Sequence, residues 1–240
     1  MKRIFLFTLA VLCLTGCASL FAQCDAKENG FVSLFNGKDL DGWTGNPAVW
    51  SVEDGAITGT TADEGPAKLA YNTFLTYTGS EAIPSNFVLR FDIKLSNPGN
   101  SGMQYRSWLL EGDQPYRVNG YQADIDGSAT YSGISYGEGF RGIVAMRGTV
   151  SEIGDDHSPV ERTRFATDEE LKSAVKIEDW NSYEVIADGF LFIHKINGRV
   201  MSILVDNDNE MRRTDGILAI QAHAGPAMKV QVKNVRIKGI

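Results

Sequence analysis

The chain is nearly without cysteine and has little that reads as helix, and both shortages narrow what it can be. Three of its 240 residues are cysteine, at positions 13, 17 and 24. No internal disulfide can therefore form in a chain that begins at or after Cys17 and carries lipid there, whatever the redox compartment. HExxH, paired CxxC and GxGxxG patterns are all missing, so zinc by motif and dinucleotide binding are unsupported. Lys and Arg number 23 against 30 Asp and Glu, a net charge of -7. No basic block interleaves with aromatics, which removes the electrostatic footprint of a nucleic-acid binder. No repeat period stands out.

What is present begins with an export signal over residues 1–22. Lys2 and Arg3 form a positive start, and Ile4 to Leu14 form an apolar run too short for a stable membrane anchor. Leu14-Thr15-Gly16-Cys17 resembles the bacterial lipoprotein box, in which Cys17 is acylated. The expected location is the periplasm, with the chain tethered to a membrane through that lipid. The alternative is cleavage after Ala22 and a soluble periplasmic protein, for which Leu20 fits the small-residue rule poorly.

A polar linker covers residues 23–30, and 31–240 reads as one domain. Short β-rich runs follow one another with turn chemistry between them: VSLF, NGKDLDGW, WSVEDGAITGT, FVLRFDIKL, SNPGNSG, MQYRSWLL and YQADI. The segment from Ser182 to Asp206 reads as two hairpins, turning at Ala187-Asp188-Gly189 and at Asn197-Gly198. Only residues 167–175 look helical, with Thr167 or Asp168 as cap and Glu170 completing a capping box. This pattern predicts an all-β sandwich with a short helical insert.

Several of these strands carry polar groups on one face. In Gly120-Tyr121-Gln122-Ala123-Asp124-Ile125-Asp126 the apolar residues alternate with Gln122, Asp124 and Asp126. Asn100 to Arg106 sends Gln104 and Arg106 to one side. GILAIQAHAG separates Leu218, Ile220 and Ala222 from Gln221 and His223, and the stretch Ser135–Gly142 supplies Glu138 and Arg141. A solvent face is the plain explanation for any one of these strands. Four together predict a shared groove.

The ordered segments LFNGKDLDGW, NSGMQYR, GYQADID, GEGFRG, DWNSYEVIADG, HKINGRV and GILAIQAHAGPAMKVQVKNVRIK resemble the 3-keto-disaccharide hydrolase domain family over roughly residues 31 to 240. The resemblance implies a concanavalin A-like jelly roll of two antiparallel sheets with sugar held on its concave face. It also implies cleavage of glycosides already oxidised at C3. A ketone there acidifies the C2 proton, so a base can remove it and the C1 substituent leaves by elimination, after which water adds back. On this reading Glu138 or Asp124 is the base, Arg106 and Arg141 stabilise the enolate, and His223 carries protons. The usual family pattern has Glu where Gln122 stands, which bears on whether position 122 transfers protons.

The substrate-binding candidates are Gln104, Gln122, Gln221, Trp108 and His194. Trp108 is the candidate stacking platform for a pyranose. For His194, in a more apolar run, packing is the first reading. His157 reads as surface, and Trp43, Trp50 and Trp180 read as core. The acids of Asp206 to Glu210 read as a polar hairpin tip, because they lack the spacing of a helix-loop-helix calcium site. No cofactor is expected, and a divalent metal is left open. Two other functions fit the same residues: a conventional glycosidase using Asp124 and Glu138, and a lectin-like module that binds sugar without cleaving it.

Overall fold

The computed structural model describes residues 29–240. The export signal, Cys17, Cys24 and most of the linker lie outside the described residues. The strands are β1 (Val32–Ser33), β2 (Trp43–Thr44), β3 (Trp50–Glu53), β4 (Ala56–Thr60), β5 (Thr73–Tyr77), β6 (Phe87–Leu95), β7 (Asn100–Leu109), β8 (Val118–Asp126), β9 (Ser135–Glu138), β10 (Gly142–Ala145), β11 (Thr149–Ile153) and β12 (Pro159–Arg164). After helix α1 (Asp168–Lys172) come β13 (Asn181–Asp188), β14 (Leu191–Ile196), β15 (Arg199–Asp206), β16 (Ile217–Ala222) and β17 (Lys229–Gly239). They form two sheets. One runs β12-β11-β15-β14-β13-β6-β17-β4-β3 with β1 added beside β17, and the other runs β10-β9-β8-β7-β16-β5-β2.

The two sheets face each other across one core. Strand β6 shows the cause most directly, since Phe87, Leu89, Phe91, Ile93 and Leu95 alternate with half-exposed residues and all five are buried. From the opposite sheet come Met103 and Tyr105 of β7, Tyr121, Ala123 and Ile125 of β8, and Leu218, Ile220 and Ala222 of β16. Burying each large apolar side chain contributes about 1.5–3 kcal/mol. With these residues committed to the core, the period of two fixes Gln104, Gln122, Asp124 and Gln221 on the outer face of the seven-stranded sheet.

The local signals fold as the sequence predicts at several places. Asn197 and Gly198 take φ of 49° and 79°, the left-handed pair that a tight two-residue hairpin needs. Thr167 and Glu170 form the reciprocal capping box of α1, which buries Leu171. One pairing departs from the expected antiparallel pattern: β11 and β15 are parallel. The chain between them passes through β12, α1, β13 and β14, a connection long enough to return in the same direction.

Three further expectations are corrected. Trp43 and Trp50 are core, but Trp180 is half-buried and lies under Lys94 and Lys233, 5.2 and 4.1 Å from its ring. Its position falls on the outer face, where lysine stems cover the ring. Asp206 and Asp208 are fully buried rather than sitting on an exposed tip, because Arg141 reaches in to pair with both. Arg106 does not follow the alternation of its strand. A β-bulge between Tyr105 and Trp108 shifts the register against β8, and Arg106 itself takes φ of 45°. An extra residue in one strand reverses the facing of the residues beyond it.

Candidate functional site

The outer face of the seven-stranded sheet holds a cleft of about 280 Å³, to which β7, β8, β9 and β16 each contribute. Five of the sequence candidates meet there: Gln122, Asp124, Glu138, Gln221 and His223. The first four are buried, and His223 sits half-exposed just past the end of β16. This rules out a plain solvent face. A polar residue turned to water would not be below a tenth exposed.

A chain of side-chain hydrogen bonds crosses the cleft floor. Ser107 Oγ donates to Gln104 Oε1 (3.0 Å), Gln104 Nε2 to Gln122 Oε1 (2.6 Å), and Gln122 Nε2 to Gln221 Oε1 (3.5 Å). Gln221 Nε2 then donates to Glu138 Oε2 (3.3 Å), while Asn72 Nδ2 donates to Glu138 Oε1 (3.1 Å). Asn72 is oriented in turn by the Ala224 amide, which donates to its Oδ1 (2.9 Å). Each amide in the row uses its oxygen on one neighbour and its nitrogen on the next, so both oxygens of Glu138 meet donors. Gly102 makes room for this. A Cβ there would fall 2.5 Å from Gln122 Cγ.

Asp124 is held differently. Asn100 Nδ2 donates to its Oδ1 (3.0 Å), and among the described residues no Lys or Arg lines the cleft. Burial raises its carboxyl to a pKa of about 8, with the nearby Asp126 and Glu138 adding to the shift and the Asn100 amide opposing it. At neutral pH Asp124 therefore carries a proton. The register pairs Glu138 with Gly120, four residues along β8 from Asp124, so the two backbone positions stand roughly 13 Å apart along the strand while their side chains converge on the one cleft, where the Glu138 charge adds to the rise at Asp124.

Asp126, the third acid of the run, takes no part in the cleft. Its carboxylate accepts from the backbone amides of Ser128, Thr130, Tyr131 and Ser132. Burial alone would raise its pKa, but these bonds together with the Ser128 and Ser132 hydroxyls hold it below the usual carboxylate range. The loop it staples presents Tyr131 and Ile134 to the cleft. Buried Arg147 fastens the same loop through the carbonyls of Ala129 and Ser132 (2.9 and 2.7 Å).

The structure does not bring five candidates to the cleft. Arg106 donates to the carbonyls of Ser85 (2.6 Å), Gly189 (2.8 Å) and Arg213 (3.2 Å), with its guanidinium 5.0 Å over the Phe192 ring of the core. It closes one end of the sandwich. Arg141 is consumed by Asp206 and Asp208 on the inner side of its hairpin. Trp108 packs edge-on against Phe140 (5.5 Å) and under Arg213 (4.3 Å). His194 is buried between the sheets, where Tyr105 and the Ile134 carbonyl bond its two nitrogens and burial lowers its pKa to about 4. Gln104 stays beneath the cleft and reaches it only through Gln122.

Six cleft residues escaped the sequence reading: Asn72, Asn100, Tyr131, Ile134, Tyr136 and Ile143. Asn100 shares the face of Gln104 by simple alternation, and Tyr136 shares that of Glu138, so a strict count along each strand finds both. Asn72 precedes β5 in a loop, and the Tyr131 loop depends on Asp126. Neither leaves a periodic signal. Burial, Glu138 and Asp124 all raise the Tyr136 phenol, which keeps it a hydrogen-bond donor. Among the described residues no group of three or more His, Cys, Asp or Glu side chains is arranged to hold a metal ion.

Comparison with known proteins places this geometry in context. The family model described as a 3-keto-alpha-glucoside-1,2-lyase-like domain matches residues 30–238. A 3-keto-disaccharide hydrolase of Bacteroides thetaiotaomicron is 31% identical over 88 residues, which cover 35% of this chain and 29% of that protein. The matched region thus spans under a third of the relative. A crystal structure of a candidate glycosyl hydrolase from Parabacteroides distasonis aligns with a TM-score of 0.55 at 23% identity, over 89% of this chain and 95% of that one. A Bacillus subtilis protein with a galectin-like fold aligns with a TM-score of 0.54 at 11% identity, over 87% and 94%. The two solved structures share the all-β jelly-roll sandwich.

Proposed function

The chain belongs to the 3-keto-alpha-glucoside-1,2-lyase-like domain family, and we propose that it is a carbohydrate-active enzyme whose cleft cleaves the glycosidic bond of sugars bearing a ketone at C3. One observation carries the reading: the cleft unites a carboxyl that keeps its proton to about pH 8, Asp124, with a second, Glu138, aligned by two amide donors. Proton transfer in two directions needs two such groups in different environments.

In this mechanism Glu138 removes the proton from C2 and the electron pair moves to the C3 ketone as an enolate. The Tyr136 phenol donates a hydrogen bond to the enolate oxygen, the task that the family resemblance assigns to Arg106 and Arg141. As the enolate collapses, the C1–O bond breaks and the leaving oxygen takes its proton from Asp124. Water then adds at C1 while a proton returns to C2, giving net hydrolysis, with His223 at the rim exchanging protons with solvent. Each positioned acid or base supplies about two to four orders of magnitude in rate. Because Asp124 must be protonated to act, turnover falls as pH rises through about 8.

The test is incubation of the purified protein with a 3-keto-glucoside and with its unoxidised parent. Release of sugar from the ketone alone is the expected result. Equal cleavage of both points to a conventional two-carboxylate glycosidase, and binding without cleavage points to a lectin-like module. Export and a lipid on Cys17 belong to the same proposal, and the intact mass of the mature protein decides between an acylated Cys17 and an unmodified chain that begins at Gln23.

A further inference from the structure

The two outer faces of the sandwich differ in charge. Among the described residues no Lys or Arg lines the cleft on the seven-stranded sheet. On the ten-stranded sheet, the alternation that buries one side of β6 turns Arg90 and Lys94 outward, and β17 adds Lys229, Lys233, Arg236 and Lys238. Lys233 and Arg236 are three residues apart and would fall on opposite faces of a regular strand. A bulge sets three steps of β17 against two of β6, with Lys233 opposite Asp92 and Arg236 opposite Arg90, so both point outward. Asn234 supplies the left-handed residue within it, at φ of 54°.

Against these six cations and Lys195 of β14 stand Asp92, Glu53, Glu178 and Glu184, so the strip is positive in a chain whose net charge is -7. Two hollows of about 300 and 250 Å³ lie along it. Arg90, Lys195 and Arg236 line the first, and Lys94 and Lys229 line the second.

A second observation concerns how the chain enters the fold. Phe31 is buried under Arg90 and Arg236, whose guanidinium groups stand 4.6 and 5.8 Å from its ring, and a Cβ on Gly30 would fall 3.5 Å from the Lys238 stem. The segment that leads back to Cys17 therefore joins the sandwich on this face. Residues 17–29 reach at most about 45 Å when fully extended, so a lipid on Cys17 keeps the face close to the membrane.

We propose that the outer face of the ten-stranded sheet rests on a lipid surface carrying anionic headgroups. Cations near such a surface are attracted to its phosphates, over a range of about one Debye length. Trp180 has Lys94 and Lys233 over its ring at 5.2 and 4.1 Å, a pairing of aromatic and cation that suits headgroup depth. In this pose the cleft on the opposite sheet faces away from the lipid and stays open to dissolved glycosides. The setting rests on the proposed lipid at Cys17, so the test uses protein without it and its outcome is separate from that of the intact mass.

The mature chain beginning at Gln23 is sedimented with vesicles of phosphatidylcholine mixed with phosphatidylglycerol, and with vesicles of phosphatidylcholine alone. Binding to the anionic vesicles only, weakened by added salt, is the expected result. The triple variant Lys94→Gln, Lys233→Gln, Lys238→Gln should weaken it about ten- to a hundredfold, at up to about fivefold for each cation. A second triple variant, Lys38→Gln, Lys68→Gln, Lys172→Gln, removes the same charge from outside this face and should weaken it less than about threefold. A loss in the second variant as large as in the first overturns the proposal, as does binding to both kinds of vesicle alike or to neither. The unaltered protein supplies a further measurement. Headgroups bearing gadolinium should broaden the NMR resonances of Lys94, Trp180 and Lys233 and spare Tyr131 and Ile143 at the cleft, and broadening at the cleft instead overturns the proposal.

Discussion

Among the described residues two clusters of buried acids lie on opposite sides of the same sheet, and they are built on contrary principles. On the inner side, Asp206 and Asp208 are paired with Arg141, His157 bonds Asp208, and the Tyr121 hydroxyl donates to Asp206. Burial alone would raise Asp208, but hydrogen bonds from the Met211 amide, His157 and the Glu210 amide, with the Arg141 charge, outweigh it and hold the pKa at about 2. On the outer side, Asp124 and Glu138 have amides for neighbours and, among the described residues, no Lys or Arg in their cleft, and burial lifts Asp124 to about 8. Acids neutralised by a cation fasten the fold and have no capacity left for chemistry. A carboxyl lifted to about 8, as Asp124 is, can exchange a proton near neutral pH. The difference also explains why Arg141, three residues from Glu138, belongs to the first cluster and not to the second.

The contrast breaks most visibly at Glu138. Replacing it with Gln keeps its size but removes its basicity and sets a donor against one of its two amide partners, so kcat on a 3-keto-glucoside should fall by about two to four orders of magnitude while stability falls by only about 1–3 kcal/mol. Arg141→Ala should do the reverse. It strands two buried carboxylates, so a loss of about 3–5 kcal/mol in stability is expected in chemical denaturation, with activity per folded molecule affected far less. If Arg141→Ala instead leaves stability intact and removes turnover, the division between the clusters fails.

Asp124→Asn sharpens the comparison through pH. The folded pKa of Asp124 lies above its unfolded value, so between about pH 4 and 8 the folded chain holds a proton that the unfolded chain has released. The stability contributed by this group is therefore present at low pH and lost as pH rises through that window. The Asn variant lacks this dependence. Its stability relative to the parent protein should improve by about 1 kcal/mol per pH unit from pH 4 to 8, while its activity is lost. The smallest effect is expected at His157, whose pKa is raised chiefly by its hydrogen bond to Asp208. Its contribution is complete below the unfolded pKa and disappears as pH rises through the folded one, so His157→Ala should lower the melting temperature more at about pH 5.5 than at about pH 8.5.

Much of this architecture is legible in the sequence because period-two alternation is a local property. It gives the core face of β6, β8 and β16, and with it the cleft positions Gln122, Asp124 and Gln221. The Asn197-Gly198 turn and the Thr167 capping box are likewise decided within a few residues. Arg106 shows where local reading ends. The bulge that turns it away from the cleft depends on register with β8, and no feature of Asn100 to Arg106 announces it. Arg141 has the same difficulty, since its partners Asp206 and Asp208 lie 65 and 67 residues away. Asn72 enters the site only because the strand it precedes pairs with β16. The polar cleft residues on strands were within reach of a sequence argument, as was His223 one step past β16, whereas Asn72, the Tyr131 loop and the ion pairing of Arg141 depend on distant segments and were not.

Deuterium at C2 tests the central claim most directly. A 3-keto-glucoside is cleaved in D₂O and the released sugar, with the remaining substrate, is examined by NMR against an enzyme-free control. The account predicts one deuterium at C2 of the released sugar, incorporated at the rate of cleavage and dependent on Glu138. Cleavage that leaves the C2 proton in place would mean direct displacement at C1 and would contradict it.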